Sequence, residues 1–288
     1  MTILLFIAPL LAAACYLLSW TRSLRGSPGV PRADADASGT PVVAGRFDQS
    51  SLLLLAGLAC HLVSLLAGVS AEQGFRFGFG LALSGTFWVG AAVLWFEGLS
   101  VRAEALRVVV LPVAAVAGLL PVFFPGADFT AERGLPLFLP HLLVGTLAYG
   151  VLMLAALHAV LMMMAERALH SAVTSDSVFG RWIERLPPLL ALERILFRFI
   201  TLGFVLLTLT TVSGVLFSEQ VFGRPLRLDH KTVFTLLSWV MFGALLVGRQ
   251  LWGWRGRTAL RLTLGGFAVL LLGYIGSRFV IEVILQRG

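Results

Sequence analysis

The sequence predicts an all-α fold, a polytopic transmembrane helical bundle of about eight spanning helices. Three observations predict it. Of 288 residues, 58% are hydrophobic and only 13% are charged, where an ordinary soluble domain is about a quarter charged. The apolar residues gather into runs at about 2–20, 51–69, 77–97, 108–124, 137–164, 199–217, 232–248 and 262–285. Each run approaches the roughly 20 residues that cross a bilayer as a helix, the one open-chain structure whose backbone satisfies its own hydrogen bonds in lipid. Little chain remains between the runs, so residues 1–288 read as a single polytopic membrane domain with no soluble catalytic unit.

The first run carries Pro9 and Cys15 and ends at Trp20. No basic residue precedes it and Tyr16-Leu17-Leu18 continues it, so it reads as a helix, not a cleaved leader. Residues 21–50 hold Gly26, Pro28, Gly29, Pro31, Gly39 and Pro41 without periodicity, the pattern of a flexible linker. The second run carries Cys60 and His61, the third Trp88 and Trp95, and the fourth Pro112 and Pro121. The fifth begins at Pro140-His141 and reaches His158. Residues 165–198 form the other sizeable connection, where "SVFGRWIERLPPLLALERILFR" alternates charges with Trp182, Leu186, Leu189, Ile195 and Phe199. Such a segment suits the membrane surface. The seventh run holds Trp239, and the eighth holds Arg278 and Glu282, four apart and able to pair on one helix face.

Basic residues orient the bundle. Fifteen of the 22 Lys and Arg residues lie in the odd-numbered connections, such as Arg22, Arg102, Arg167 and Arg255, against seven in the others. That bias places 21–50, 98–107, 165–198 and 249–261 in the cytoplasm and both termini outside. The formal net charge of +7 is explained by these loops, and nucleic acid is not an expected partner.

The motifs exclude several chemistries. There is no Cys-x-x-Cys, no His-Glu-x-x-His, no Gly-x-Ser-x-Gly and no phosphate-cradling glycine loop. No enzymatic activity is therefore expected. The histidines remain. An ionisable residue within a span is costly and commonly faces a bundle interior or cavity, and imidazole is a common ligand of haem iron. His61, mid-helix in "LACHLVSLL", reads either as a cofactor contact or as an interhelical hydrogen bond, with Ser64 on its face. His141 and His230 fall at similar depth on the outer side, whereas His158 and His170 fall at the inner boundary and read as packing or loop residues. Trp88, Trp95 and Trp239 read as packed; Trp20, Trp252 and Trp254 fit an interfacial belt.

The last third, "PPLLALERILFRFITLGFVLLTLTTVSGVLF" through "GWRGR" and "GYIGSR", together with "CHLVSL" and "PHLLVGTLAYG", resembles the cytochrome c assembly membrane-protein family, in particular its branch of small bacterial inner-membrane proteins. The resemblance covers about 51–285. It implies a factor in the bacterial cytoplasmic membrane that binds haem or supports c-type cytochrome maturation, with haem, membrane lipid and other cytochrome c assembly proteins as partners. His141 matches the family's outer-face histidine, and Asp229, Lys231 and Trp239 match the end of its tryptophan-rich signature and the following helix. The chain departs from the pattern in having no tryptophan over 218–231, and in carrying Val247 and Leu285 where the family has histidines. The ligands expected for haem iron are His141 first, then His230, with His61 as the alternative second ligand or the mark of a deeper site. A transporter or its accessory subunit, and a regulatory membrane partner of a tetrapyrrole-synthesis enzyme, are the competing readings. The topology carries its own test: a reporter fused at Ser175 is expected to register as cytoplasmic, and one fused at Ser70 as external.

Overall fold

The computed structural model describes residues 2–25, 49–69, 74–97, 104–131, 134–170, 188–222 and 229–284. Among them eight helices are long and apolar enough to cross a membrane. In chain order the helices are α1 (Thr2–Arg25), α2 (Gln49–Val69), α3 (Phe79–Glu97), α4 (Glu104–Ala117) with the short α5 (Leu120–Phe123), α6 (Phe138–His170), α7 (Leu189–Phe222), α8 (His230–Trp252) and α9 (Gly256–Leu271). α4 and α5 together make the fourth span, Leu106–Phe123. The break between them precedes Pro121, whose ring cannot continue an α-helical hydrogen-bond ladder.

The connection that hydropathy bounds at 165–198 is shorter in the structure. α6 runs on to His170 and α7 begins at Leu189, because a helix end in the headgroup layer keeps its hydrogen bonds after its side chains turn polar. Residues 171–187 of that segment, and 26–48 of the expected linker, lie outside the described residues, as do the side chains of Arg278 and Glu282. A two-residue antiparallel pair was not legible in hydropathy: β1 (Arg76–Phe77) joins β2 (Ala127–Asp128). The Arg76 guanidinium donates to the Gly126 carbonyl at 3.2 and 3.0 Å. Phe77 from this pair and the preceding Phe75 cluster with Leu81, Ala82 and Phe138 at one end of the bundle.

The spans are held by side chains that donate across helices to carbonyls or hydroxyls, the kind of bond that replaces a hydrophobic drive in lipid. Ser19 donates to the Ser50 carbonyl at 3.0 Å and Trp20 to that of Val108 at 2.9 Å. Trp88 and Trp95 donate to α2, at Leu58 and Ser51, so both serve packing, as their sequence positions suggest. Trp239 stacks on Phe204, centroids 5.6 Å apart, and donates to Thr208.

His61 is the hub of the first three spans. It is fully buried; the Tyr16 hydroxyl of α1 bonds its Nδ1 at 3.1 Å, and the Ser84 hydroxyl of α3 bonds its Nε2 at 2.8 Å. One ring nitrogen donates and the other accepts in either neutral tautomer. At the opposite end, the "GWRGR" segment is a folded turn. Gly253 ends α8 with a left-handed φ of 66°, a conformation only glycine takes without penalty. It lets Trp254 fold back under Gly248, whose carbonyl receives the Trp254 N–H at 3.2 Å. Arg255 then reaches Glu193 of α7 at 3.4 Å and Arg257 reaches Glu166 of α6 at 3.0 Å.

The His61 hub is testable by unfolding in detergent. His61→Leu leaves two buried hydroxyls without their partner, at about 1 kcal/mol each. The single variant is expected to melt lower than the triple variant Tyr16→Phe, His61→Leu, Ser84→Ala, which removes the whole polar set.

Candidate functional site

α3 is the wall that decides which histidines can share a site. Ala82 and Thr86, one turn apart, face a cavity on one side, while Ser84, half a turn away at 100° per residue, faces His61 on the other. The cavity is about 400 Å³ and lies among α3, α6, α7, α8 and the end of α9. That volume is in the range of small-molecule and cofactor sites.

Its histidine is His141. The ring sits in the first turn of α6, where Pro140 is tolerated because the N–H groups there have no helical acceptor. Its Nδ1 meets the Ser213 hydroxyl of α7 at 3.0 Å, and that hydroxyl itself donates to the Thr210 carbonyl at 3.1 Å. A serine hydroxyl has a single proton. When that proton is on the Thr210 carbonyl, the oxygen accepts from Nδ1–H and the lone pair lies on Nε2; when Ser213 donates to the ring, the two nitrogens exchange roles. Gly214 allows the arrangement: a Cβ there would stand 3.1 Å from His141 Cε1.

The remaining lining is apolar with a ring of hydroxyls. Leu142, Leu207, Val215, Leu236 and Leu270 supply the first; Thr146, Tyr149, Thr210, Thr211, Thr232 and Thr235 supply the second. Tyr149 donates to the Leu270 carbonyl at 2.7 Å, where α9 gives way to the π-helical turn Leu272–Gly276. A wider turn frees carbonyls from the regular ladder, and such turns recur at functional sites. From it Tyr274 and Ile275 enter the cavity wall. At the mouth, Lys231 Nζ lies 5.8 Å from the centroid of the Tyr274 ring.

Asp229 caps α8, accepting from the Thr232 N–H at 2.9 Å and from its hydroxyl at 3.0 Å. Partial burial pushes its pKa upward, but the two Thr232 hydrogen bonds and the neighbouring Lys231 and His230 charges outweigh it and hold the carboxyl below its ordinary value.

Among the described residues, the structure brings His141, and no other histidine singled out in the sequence, to this cavity; the side chain of His170 lies outside them. His230 is exposed in the first turn of α8, beside the mouth but not in its lining. His61 lies beyond α3 with both ring nitrogens engaged. His158 is 17 residues along α6, about 25 Å at 1.5 Å per residue, where its Nε2 donates to the Leu192 carbonyl at 2.8 Å. No cluster of three or more His, Cys, Asp or Glu suited to a metal ion occurs among the described residues. Sequence reading missed Ser213, Tyr149 and Tyr274. The one available signal was the run Thr208, Thr210, Thr211, Ser213, Gly214 inside an apolar span, an unusual density of hydroxyls for a lipid-facing helix.

The fit to haem can be judged on these residues. An imidazole oriented by a hydroxyl, an apolar wall of leucine and valine, and a cation at the mouth suit an iron porphyrin with carboxylate edges held through one protein nitrogen. Among the described residues the lining holds no second histidine.

Residues 49–285 match the model of the family described as cytochrome C assembly protein. Over 165 residues the chain is 30% identical to the inner membrane protein YpjD of Escherichia coli K12, covering 57% of this chain and 60% of that protein. It is 35% identical over 147 residues to an uncharacterized 28.8 kDa protein of Azospirillum brasilense, covering 50% and 52%. It is 36% identical over 89 residues to the cytochrome c biogenesis protein CcsA of Prochlorococcus marinus MIT 9215, covering 31% and 29%. The chain thus spans no more than about 60% of the length of these relatives. No solved structure matches it.

The cap at the cavity mouth predicts a pH dependence. Because the folded-state pKa of Asp229 is lowered, its stabilisation is present above the unfolded value of about 3.9 and is lost as pH falls through the folded one. Asp229→Ala is expected to destabilise by about 0.5 kcal/mol at pH 7, with the difference from wild type closing below about pH 4 in thermal unfolding.

Proposed function

This chain belongs to the cytochrome c assembly protein family, and we propose that it is a haem-associated membrane factor that supports c-type cytochrome maturation without bond-making chemistry of its own. The carrying observation is His141: its ring lines the cavity and meets the Ser213 hydroxyl at Nδ1, and a neutral imidazole so placed would be the residue to hold haem iron. The cavity that this residue lines supplies apolar contact through Leu142, Leu207, Val215 and Leu270, and Lys231 offers a cation for a propionate. Haem, were it bound there, would supply an iron centre able to exchange an electron, with His141 as the residue to hold it. The chain's own part is to bind, to orient the imidazole and to limit water. His230, exposed beside the mouth, is available as a second ligand from outside the lining. His61 serves the fold in this reading.

The inner-membrane designation of the Escherichia coli relative supports placement in the bacterial cytoplasmic membrane, and the basic bias of the loops is what supports an orientation with both termini outside. Other cytochrome c assembly proteins are the expected partners.

Absorption spectra of the detergent-purified protein, with and without added haem, test the reading. Wild type is expected to acquire a Soret band. His141→Ala should lose most of it, His158→Ala should keep it, and Ser213→Ala should weaken haem affinity about 10-fold through loss of the orienting bond. A wild type that shows no haem absorbance after reconstitution overturns the proposal.

A further inference from the structure

Where α3, α6 and α8 begin, the His141 cavity is bounded by three side chains from the irregular ends of three elements. Phe77 of β1, Tyr274 of the π-helical turn and Lys231 in the first turn of α8 all line it. They stand in a row. The Phe77 and Tyr274 rings have centroids 6.0 Å apart at a tilt of 46°, and Lys231 Nζ lies 5.8 Å from the Tyr274 centroid. The walls are helices, each fixed by its own hydrogen-bond ladder. This roof has no such ladder, and a passage from the water at this end of the bundle to His141 leads past it.

Phe77 is carried on a strap made by two short segments. Phe77 and, two residues earlier, Phe75 are buried in one cluster, as the alternation of side chains along extended chain directs. Phe75 packs edge-on against Phe138 with centroids 5.4 Å apart, and Phe129 lies 6.0 Å from the same ring. Phe138 opens α6 three residues before His141, so the strap rests on the helical turn that carries the imidazole. Arg76, between the two phenylalanines, bonds across the pair to the Gly126 carbonyl. The Phe129 N–H donates to the Phe75 carbonyl at 2.7 Å, and the Phe75 N–H donates to the Thr130 hydroxyl at 2.8 Å. Asp128 and Thr130 are exposed, so part of this fastening competes with water, and a two-stranded pair is marginal on its own. Gly74 with φ 122° and Gly126 with φ 79° bound the strap, backbone that glycine adopts freely and that suits a hinge.

We propose that the β1–β2 strap is the gate of this cavity, with Phe77 as its plug. Closed, it separates His141 from the water at that end of the bundle. Release of the β1–β2 pairing withdraws Phe77 from Tyr274 and opens the way in. That haem is what enters rests on the function proposed above, whereas the gate rests on the roof and the strap.

Two independent variants of the full-length protein test it. The Arg76 and Asp128 Cα atoms are partners in the pair, and the adjoining bond from Phe129 to Phe75 marks theirs as a position without mutual hydrogen bonds. Cα atoms there approach to about 4.5 Å, within reach of a disulfide. Arg76→Cys with Asp128→Cys thus locks the strap when oxidised and frees it when reduced. The reporter is Thr210→Cys, a buried position of the cavity wall, in a background with Cys15→Ala and Cys60→Ala. Its modification by a water-soluble methanethiosulfonate is read at position 210 by peptide mass spectrometry. The oxidised lock is expected to slow modification at least tenfold relative to the reduced form, and Phe77→Ala without the lock to speed it at least fivefold. Equal rates in the two redox states, or an unchanged rate in Phe77→Ala, would overturn the gate. Haem association followed by the Soret band separates the two readings. A lock that slows modification in a protein that takes no haem keeps the gate and removes the haem; haem loading at the same rate with the lock oxidised or reduced keeps the haem and removes the gate.

Discussion

A polar group inside a bilayer has no water to turn to, and most of this structure is the consequence. The backbone solves the problem by being helical. The side chains solve it by reaching across helices. Trp20, Trp88, Trp95, Ser19, Tyr149 and Ser238 each spend a donor on the backbone carbonyl of a neighbouring span, and Trp239 spends its own on Thr208. These bonds set which spans touch and at what depth, something that uniform apolar surfaces could not specify in lipid.

The histidines show the same constraint giving different outcomes. His61 has both nitrogens bonded and fixes α1, α2 and α3 to one another. His158 spends Nε2 on the Leu192 carbonyl and fixes α6 to α7. His141 meets the Ser213 hydroxyl through Nδ1 and lines a cavity. Of the three, His141 is the one that borders open space.

The cavity exists because the helices around it fail to close. α3 separates it from the His61 hub, and the π-helical turn after α9 displaces Tyr274 and Ile275 into its wall. At the other end of the bundle the requirement is reversed. There the Gly253 turn folds Trp254 against α8 and sends Arg255 and Arg257 to carboxylates on α7 and α6. One end is cross-linked by charge, and the other holds the opening.

Apolar runs near 20 residues long, with short basic connections, determine a polytopic helical bundle whatever else the chain does, because lipid admits few alternatives. That much, with the placement of eight spans and the identity of the histidines, was legible residue by residue. Helix ends beyond the apolar runs were not: Leu189–Arg198 is helical although its side chains read as a surface connection. Nor was the short β1 and β2 pair, since two residues carry no periodicity. The sequence ranked His141 first among candidate ligands through family likeness and depth, but it held His230 and His61 beside it. Which histidines share a site depends on the facing of α3, where Ser84 turns to one side and Ala82 and Thr86 to the other. Rotation of one helix against its neighbours is set by long-range packing and cross-helix hydrogen bonds, and no local pattern in the sequence encodes it.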